Sequence, residues 1–227
     1  MVVFTGARLG YRERPLPVEV LKISPEAPER NVIEYAASFI RRGRVIAIPT
    51  DTVYGLSADP FNLAAIERVF RVKGRPETQA LPILVKSIEQ AVTLARDVPD
   101  AFLTLAHKFW PGALTLVVEA THRLPLKVTG NSGRVALRWP NSRVVTELID
   151  AVEGPITGTS ANLSGCPSCT NASQILEQLN DRLPLILDAG DTGGVLASTI
   201  VRIEEDSWFV AREGAIPELE IHKAFKS

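Results

Sequence analysis

The segment Ile48-Pro49-Thr50-Asp51-Thr52-Val53-Tyr54-Gly55-Leu56 constrains the fold of this chain more than any other. It leaves directly from an apolar run, residues 45–48, whose length and β-branched content predict a buried strand. Hydroxyls, a carboxylate and a phenol crowd the point where that strand gives way to a loop. Proteins that alternate strands and helices present ligands from such strand ends. Two further polar clusters lie downstream, Lys73-Gly74-Arg75 and Thr159-Ser160-Ala161-Asn162-Leu163-Ser164-Gly165. The three are expected to converge on one site.

Composition sets the outer limits. The chain has 227 residues and 45% hydrophobic content, which suffices for one sizeable core. Formal net charge is −1, so no global cationic field recruits nucleic acid, and any RNA contact is weak and local. No apolar run approaches the roughly 18 residues of a membrane span. The opening Met1-Val2-Val3-Phe4-Thr5-Gly6 lacks the basic start and long apolar stretch of a secretory signal. Two cysteines cannot build a disulfide framework, which suits a reducing compartment. A cytoplasmic protein with no membrane partner is expected.

Residues 1–28, rich in proline, read as an N-terminal extension with one strand near 18–23, and 29–227 as the catalytic domain. Val32, Ile33, Ala36, Phe39 and Ile40 repeat at helical spacing, and Arg41-Arg42-Gly43 closes that helix. Leu63, Ile66, Val69 and Phe70 mark a second helix capped by Asn62. Ser87 followed by Gln90 resembles a capping box. Phe102, Leu105 and Phe109 mark a fourth helix, stopped by Trp110-Pro111-Gly112. Short helices are expected at 144–149 and 173–179. Strands are expected at 81–85, 114–118, 135–139, 155–159, 185–188, 198–203 and 208–212. Helices and strands alternate early and strands dominate late, which predicts an α/β fold with a mixed sheet and flanking helices.

The polar clusters suggest an anion site. Residues 68–75 hold four cations and no acid. A helix end alone would explain cations there, but Gly74 and Pro76 fix Lys73 and Arg75 in a stiff turn where both can face one anion. Thr157-Gly158-Thr159-Ser160-Ala161-Asn162 leaves a strand with small residues throughout, which suits either a hydroxyl-rich turn or a close backbone approach to an anion. Gly190-Asp191-Thr192-Gly193-Gly194 lacks the spacing of a phosphate-binding loop and reads as a mobile loop that could serve as a lid. Cys166-Pro167-Ser168-Cys169 has no second ligand pair and reads as a plain loop; no metal site is expected. His107, on an otherwise apolar helix, reads as structural.

Taken together, these residues resemble the YrdC-like family, the threonylcarbamoyl-AMP synthases, in their single-domain form. Seven segments match in the family's order, from about residue 29 to 217. They are 49–56, Lys73-Gly74-Arg75-Pro76, Trp110-Pro111-Gly112-Ala113-Leu114-Thr115, Val135-Ala136-Leu137-Arg138-Trp139-Pro140, 159–165, Ser198-Thr199-Ile200 and Arg212-Glu213-Gly214. The resemblance implies a twisted mixed sheet around a large concave cavity. It implies an ATP-dependent nucleotidyltransferase that makes L-threonylcarbamoyl-AMP and pyrophosphate from L-threonine, bicarbonate and ATP with Mg²⁺. A downstream tRNA threonylcarbamoyl transferase complex would then use the product for threonylcarbamoyladenosine (t6A) in tRNA.

Carried over residue by residue, the resemblance gives Lys73, Arg75, Thr129, Ser160, Asn162, Ser168 and Arg212 to ATP, with Lys73 and Arg75 as the catalytic cations. It gives Thr50, Arg138 and Ser198 to threonine. Those types fit the chemistry. A carboxylate asks for a guanidinium fork, and the carbamate of threonine is its own nucleophile, so the obstacle is anionic charge and the need is a cationic clamp. The chain departs from the pattern at Ala80 and Leu84, where many relatives carry Pro and His. Two alternatives stay open at this level: the carbamoyl-adenylate-forming domain of hydrogenase-maturation carbamoyltransferases, and an RNA-binding module without adenylate-forming activity, using Arg41, Arg42, Arg44, Arg68 and Arg71.

Overall fold

A computed structural model describes residues 17–194, 196–205 and 207–225. Most of the proline-rich extension, residues 1–16, lies outside the described residues. Its final strand does not: β1 (Glu19–Lys22) pairs in parallel with a strand late in the chain, and Ile23 is buried. The remaining elements follow the expected order, with differences at the short ones. They are α1 (Arg30–Arg41), β2 (Ile46–Ile48), β3 (Gly55–Ser57), α2 (Leu63–Lys73), β4 (Ile83–Leu84), α3 (Ile88–Val92), α4 (Asp100–Phe109), β5 (Leu114–Glu119) and β6 (Arg134–Arg138). After these come α5 (Arg143–Val152), β7 (Ile156–Thr157), β8 (Thr159–Ser160), α6 (Ala172–Leu179), β9 (Leu185–Asp188), β10 (Thr199–Ile203), β11 (Trp208–Arg212) and α7 (Glu218–Lys223).

The helix ends obey their sequence signals. Asn62 accepts the amide of Ala65 at 3.2 Å to open α2, and Gly74 closes it at φ 60°, a left-handed conformation that favours glycine. Ser87 accepts the amide of Gln90 at 3.1 Å, while the Gln90 side chain accepts the amide of Lys86, one residue before the cap, at 2.9 Å, a variant of the expected capping box. The Trp110-Pro111-Gly112 turn ends α4 at Phe109, and Trp110 Nε1 donates to the Leu114 carbonyl at 2.7 Å.

The expected mixed sheet takes the form of two. One has the order β1-β9-β2-β3-β8, the other β11-β10-β5-β6-β4-β7, and both mix parallel with antiparallel pairs. The first sheet is buried on both faces. Ile46, Ile48, Leu185 and Leu187 point to one core beneath α1 and α5, while Ala47 and Ile186 point to the other. Burial on both sides is why these strands read as continuous apolar runs. Each fully buried Ile or Leu in them contributes about 1.5–3 kcal/mol.

The second sheet is divided by face. Leu114, Leu116, Val135, Leu137 and Val201 belong to the larger core, whereas their neighbours Thr115, Val117, Ala136, Arg138 and Ile200 face a cavity. Period-two alternation therefore places Thr115 and Arg138 on the open side.

The two sheets meet at one glycine. The strand expected over 155–159 splits at Gly158: β7 pairs with β4 of the second sheet and β8 with β3 of the first. Thr157 sews the corner. Its hydroxyl donates to the Leu56 carbonyl at 3.1 Å and accepts the Ala58 amide at 3.0 Å, and its carbonyl accepts the Ser57 hydroxyl at 2.9 Å. The residues that leave this corner, Thr159 and Ser160, enter the cavity wall.

Candidate active site

The cavity, about 330 Å³, lies where the two sheets diverge. Each wall comes from an element end. Thr52 and Val53 follow β2, Arg75 follows α2, Arg138 ends β6, Ser198 precedes β10 and Arg212 ends β11. Ser160 and the exposed Ser168 complete the rim. Three guanidinium groups thus face one hollow, and no Asp or Glu lines it.

Arg138 is the most constrained of the three, at 7% exposure. Its Nη2 donates to Asp51 Oδ1 at 2.6 Å, its Nη1 to the Thr52 hydroxyl at 2.9 Å and its Nε to the Gly112 carbonyl at 3.0 Å. Burial lowers its pKa, against the opposing pull of Asp51. Arg75 donates to the Thr159 hydroxyl at 3.1 Å and to the Ala80 carbonyl at 2.9 Å. Its Nε is buried and has no hydrogen-bond partner among the described residues. Burial, then the charge of Arg212, lowers the Arg75 pKa. Burial, then the charge of Arg138, does the same to Arg212. Like charges thus act on one another across the hollow, Arg212 on Arg75 and Arg138 on Arg212.

Lys73 stands one layer behind, only 3% exposed. Its ammonium donates to the carbonyl of Ser160, to the Asn162 carbonyl and to Asn162 Oδ1, the last two at 3.1 Å, with Ser160 Oγ at 3.4 Å. Asn162 passes the order on, its Nδ2 donating to the carbonyls of Leu163 and Cys166 at 2.8 and 2.7 Å. The Lys73 and Ser160–Asn162 clusters therefore touch, and the lysine shapes the turn that carries Ser160. Burial pushes its pKa down to about 8, with Arg75 assisting.

Of the expected residues, Arg75, Arg138, Ser160, Ser168, Ser198 and Arg212 line the cavity, and Lys73 and Asn162 support its wall. Two are not brought to it. The Thr50 hydroxyl turns into its own loop, donating to the Val53 carbonyl at 2.7 Å and accepting the Thr52 amide at 3.2 Å. Thr52, two residues on, faces the hollow instead. Thr129 is 1% exposed and its hydroxyl donates to the Leu126 carbonyl at 2.7 Å, closing a turn. Asp51, Thr52 and Thr115 lie in the quoted segments, but no role in the site is assigned to them from the sequence. Thr115 bonds the Ser198 hydroxyl at 2.8 Å, and its signal was a lone hydroxyl inside the apolar run 114–118. His107 is exposed, its Nδ1 2.8 Å from the Leu103 carbonyl.

The 190–194 segment rests on the site. Thr192 Oγ1 donates to the Thr52 carbonyl at 2.9 Å, and Tyr54 donates to the Gly190 carbonyl at 2.7 Å. A β-carbon on Gly194 would stand 1.8 Å from the Thr52 carbonyl oxygen, so only glycine permits this approach. Among the described residues no group of three or more His, Cys, Asp or Glu is placed to hold a metal ion. Both cysteines are free thiols, Cys166 exposed and Cys169 buried. No described helix is long and apolar enough to cross a membrane.

A two-sheet α/β frame thus surrounds a cavity lined by three arginines. The chain belongs to the Sua5/YciO/YrdC family, whose model, described as telomere recombination, matches residues 38–214. It is 40% identical over 191 residues to the threonylcarbamoyl-AMP synthase of Pyrococcus abyssi, covering 84% of this chain and 56% of that protein. It is 37% identical to the threonylcarbamoyl-AMP synthase of Bacillus subtilis, covering 83% and 55%. The crystal structure of P. abyssi Sua5 complexed with L-threonine superposes with a TM-score of 0.88 at 38% identity, covering 91% of this chain and 61% of that one. The chain thus spans a little over half the length of these relatives.

Proposed function

We propose that this chain is an L-threonylcarbamoyladenylate synthase, converting L-threonine, bicarbonate and ATP into L-threonylcarbamoyl-AMP and pyrophosphate for t6A formation in tRNA. The observation that carries the reading is the convergence of Arg75, Arg138 and Arg212 on a cavity without carboxylates, with the Arg75 Nε left unpartnered. The names of the relatives and the threonine held by one of them support it.

The residues fit the chemistry. The amine of threonine and bicarbonate give a carbamate with loss of water. A carbamate oxygen then attacks the α-phosphorus, and the bond to pyrophosphate breaks. Charge accumulates on both sides of that phosphorus, so fixed cations lower the barrier and a side-chain nucleophile is unnecessary. Arg138, held rigid by Asp51 and Thr52, faces the carboxylate of threonine. Ser198 and Thr115 lie beside it for the hydroxyl. Arg75, Arg212 and Ser160 face the phosphates. The cavity offers no carboxylate to a resident divalent ion, so Mg²⁺ enters as part of the nucleotide substrate. The product passes to a separate tRNA threonylcarbamoyl transferase complex.

The test is pyrophosphate release by the purified chain with MgATP, omitting threonine and bicarbonate in turn. Release that needs both supports the reading. Release indifferent to threonine, or none with all three present, refutes it.

Two smaller effects follow from the geometry. With the Lys73 pKa near 8, its ammonium discharges as pH rises above that value, and the positive potential behind the Ser160–Asn162 turn is lost. Pyrophosphate release should therefore decline through about pH 8. Because the folded value lies below the ordinary 10.5, the unfolded chain holds the extra proton between about 8 and 10.5, and this group makes the fold more stable as pH rises through that window. Denaturant midpoints of wild type and Lys73→Met, compared across pH, check the sign. Gly194→Ala must part residue 194 from the Thr52 carbonyl. Calorimetry should show threonine affinity falling about tenfold while stability changes by less than about 1 kcal/mol.

A further inference from the structure

A second concavity, also about 330 Å³, lies at the other end of the first sheet. Arg44 and Val45 precede β2 and Arg182 precedes β9, whereas the active-site cavity takes Thr52 and Val53 from beyond the end of β2. Four arginines line it, Arg44, Arg68, Arg71 and Arg182, with Val45 and Val72 as apolar wall. The chain has 26 acidic residues, yet none lines this hollow.

Two of the arginines are anchored by backbone. Arg68 Nη1 donates to the Gly43 carbonyl at 2.6 Å, and Arg182 Nη1 donates to the Val72 carbonyl at 3.0 Å. These bonds fix the forks and leave other N–H groups of each to face outward. Arg44 and Arg71 make no side-chain hydrogen bond or salt bridge among the described residues. The nearby acids lie outside the hollow, and one is already paired. Glu67, one turn before Arg71, is bonded to Lys127 at 2.8 Å, and Asp181 lies 3.9 Å from Arg182 with its side chain 78% exposed. Four like charges around one hollow, in a protein of net charge −1, raise the local potential, offset only in part by Asp181 beside Arg182 and by the charge of Glu67 acting on Arg71. Planar guanidinium forks match phosphate oxygens in pairs.

We propose that this arginine-lined pocket is a phosphate-binding site, distinct from the cavity, that takes the phosphates of a polyanion. The ligand is a free polyphosphate chain or the backbone of an RNA, and the pocket does not depend on which reaction the cavity performs.

Calorimetric titration with sodium tripolyphosphate is the primary test, on wild type, Arg44→Gln/Arg71→Gln and the charge-matched control Arg96→Gln/Arg123→Gln. The pocket variant should lose about tenfold or more in affinity for one class of site. The control should not, and threonine-dependent pyrophosphate release by the pocket variant should stay within about twofold. Arg75→Gln/Arg212→Gln, which disables the cavity, should keep the pocket's binding, so failure of the proposed reaction and failure of the pocket are read separately. A short single-stranded oligoribonucleotide, followed by fluorescence anisotropy, assigns the source. Competition with tripolyphosphate that vanishes in the pocket variant marks an RNA backbone, and its absence marks a free polyphosphate. Identical isotherms for wild type and the pocket variant, or an equal loss in the control, overturn the proposal.

Discussion

Arg138→Ala is expected to reduce threonine-dependent pyrophosphate release by at least about 10³-fold and to destabilise the fold by about 3–5 kcal/mol. Both effects come from one geometry. The guanidinium holds Asp51, Thr52 and the Gly112 carbonyl through three separate nitrogens. Its loss leaves the Asp51 side chain, 15% exposed, charged and unpaired. It also frees the loop whose carbonyl at Thr52 receives the 190–194 segment. Arg138→Lys separates the contributions. A lysine restores charge but not the fork, so stability should recover in part while activity stays low. Asp51→Asn keeps an acceptor for Arg138 Nη2 and removes the counter-charge, so it should damage the fold less than Arg138→Ala. Urea denaturation and pyrophosphate assays on the three variants decide the matter. Wild-type release by folded Arg138→Ala would remove Arg138 from the site.

Lys73→Met is the second large effect, and it differs in kind. The lysine touches four oxygen atoms of Ser160 and Asn162 and does not line the cavity. Removing the ammonium strands buried acceptors, at a cost of about 3 kcal/mol and a fall in Tm of roughly 6–12 °C. Release should fall about 100-fold, because Ser160 and the turn after it lose their position. Lys73 is therefore a positioning residue in this structure as well as a source of positive potential. Lys73→Met with an unchanged denaturation midpoint would contradict that assignment, whatever its activity.

Much of the site was legible because its chemistry is written in local sequence. Lys73-Gly74-Arg75 announced a helix stop beside cations, and Gly74 does adopt the left-handed conformation. Arg138 came from the family resemblance, and the structure places it at the end of β6 on the open face. Other parts were hidden for physical reasons. Thr50 and Thr52 are equivalent in composition, and only the fold of the loop decides which hydroxyl turns inward. β3 is three buried residues, Gly55, Leu56 and Ser57, too short to show alternation, so it read as loop. α7 buries only Ile221 and leaves Leu219 exposed, which gives no helical stripe. The split at Gly158 was invisible because both halves of 155–159 are strand. Their separation into two sheets is a long-range decision made by Leu56, Ala58 and Pro82, whose backbone groups claim Thr157 and Gly158.

That junction has a mechanical consequence. With Arg138, Ser198 and Arg212 carried by one sheet and Thr52 and Ser160 by the approach to the other, anything gripped by both sets acts as a cross-brace over a joint one residue wide. Occupancy would stiffen the angle between the slabs as well as fill the gap, and the free energy of the grip would appear as resistance to unfolding.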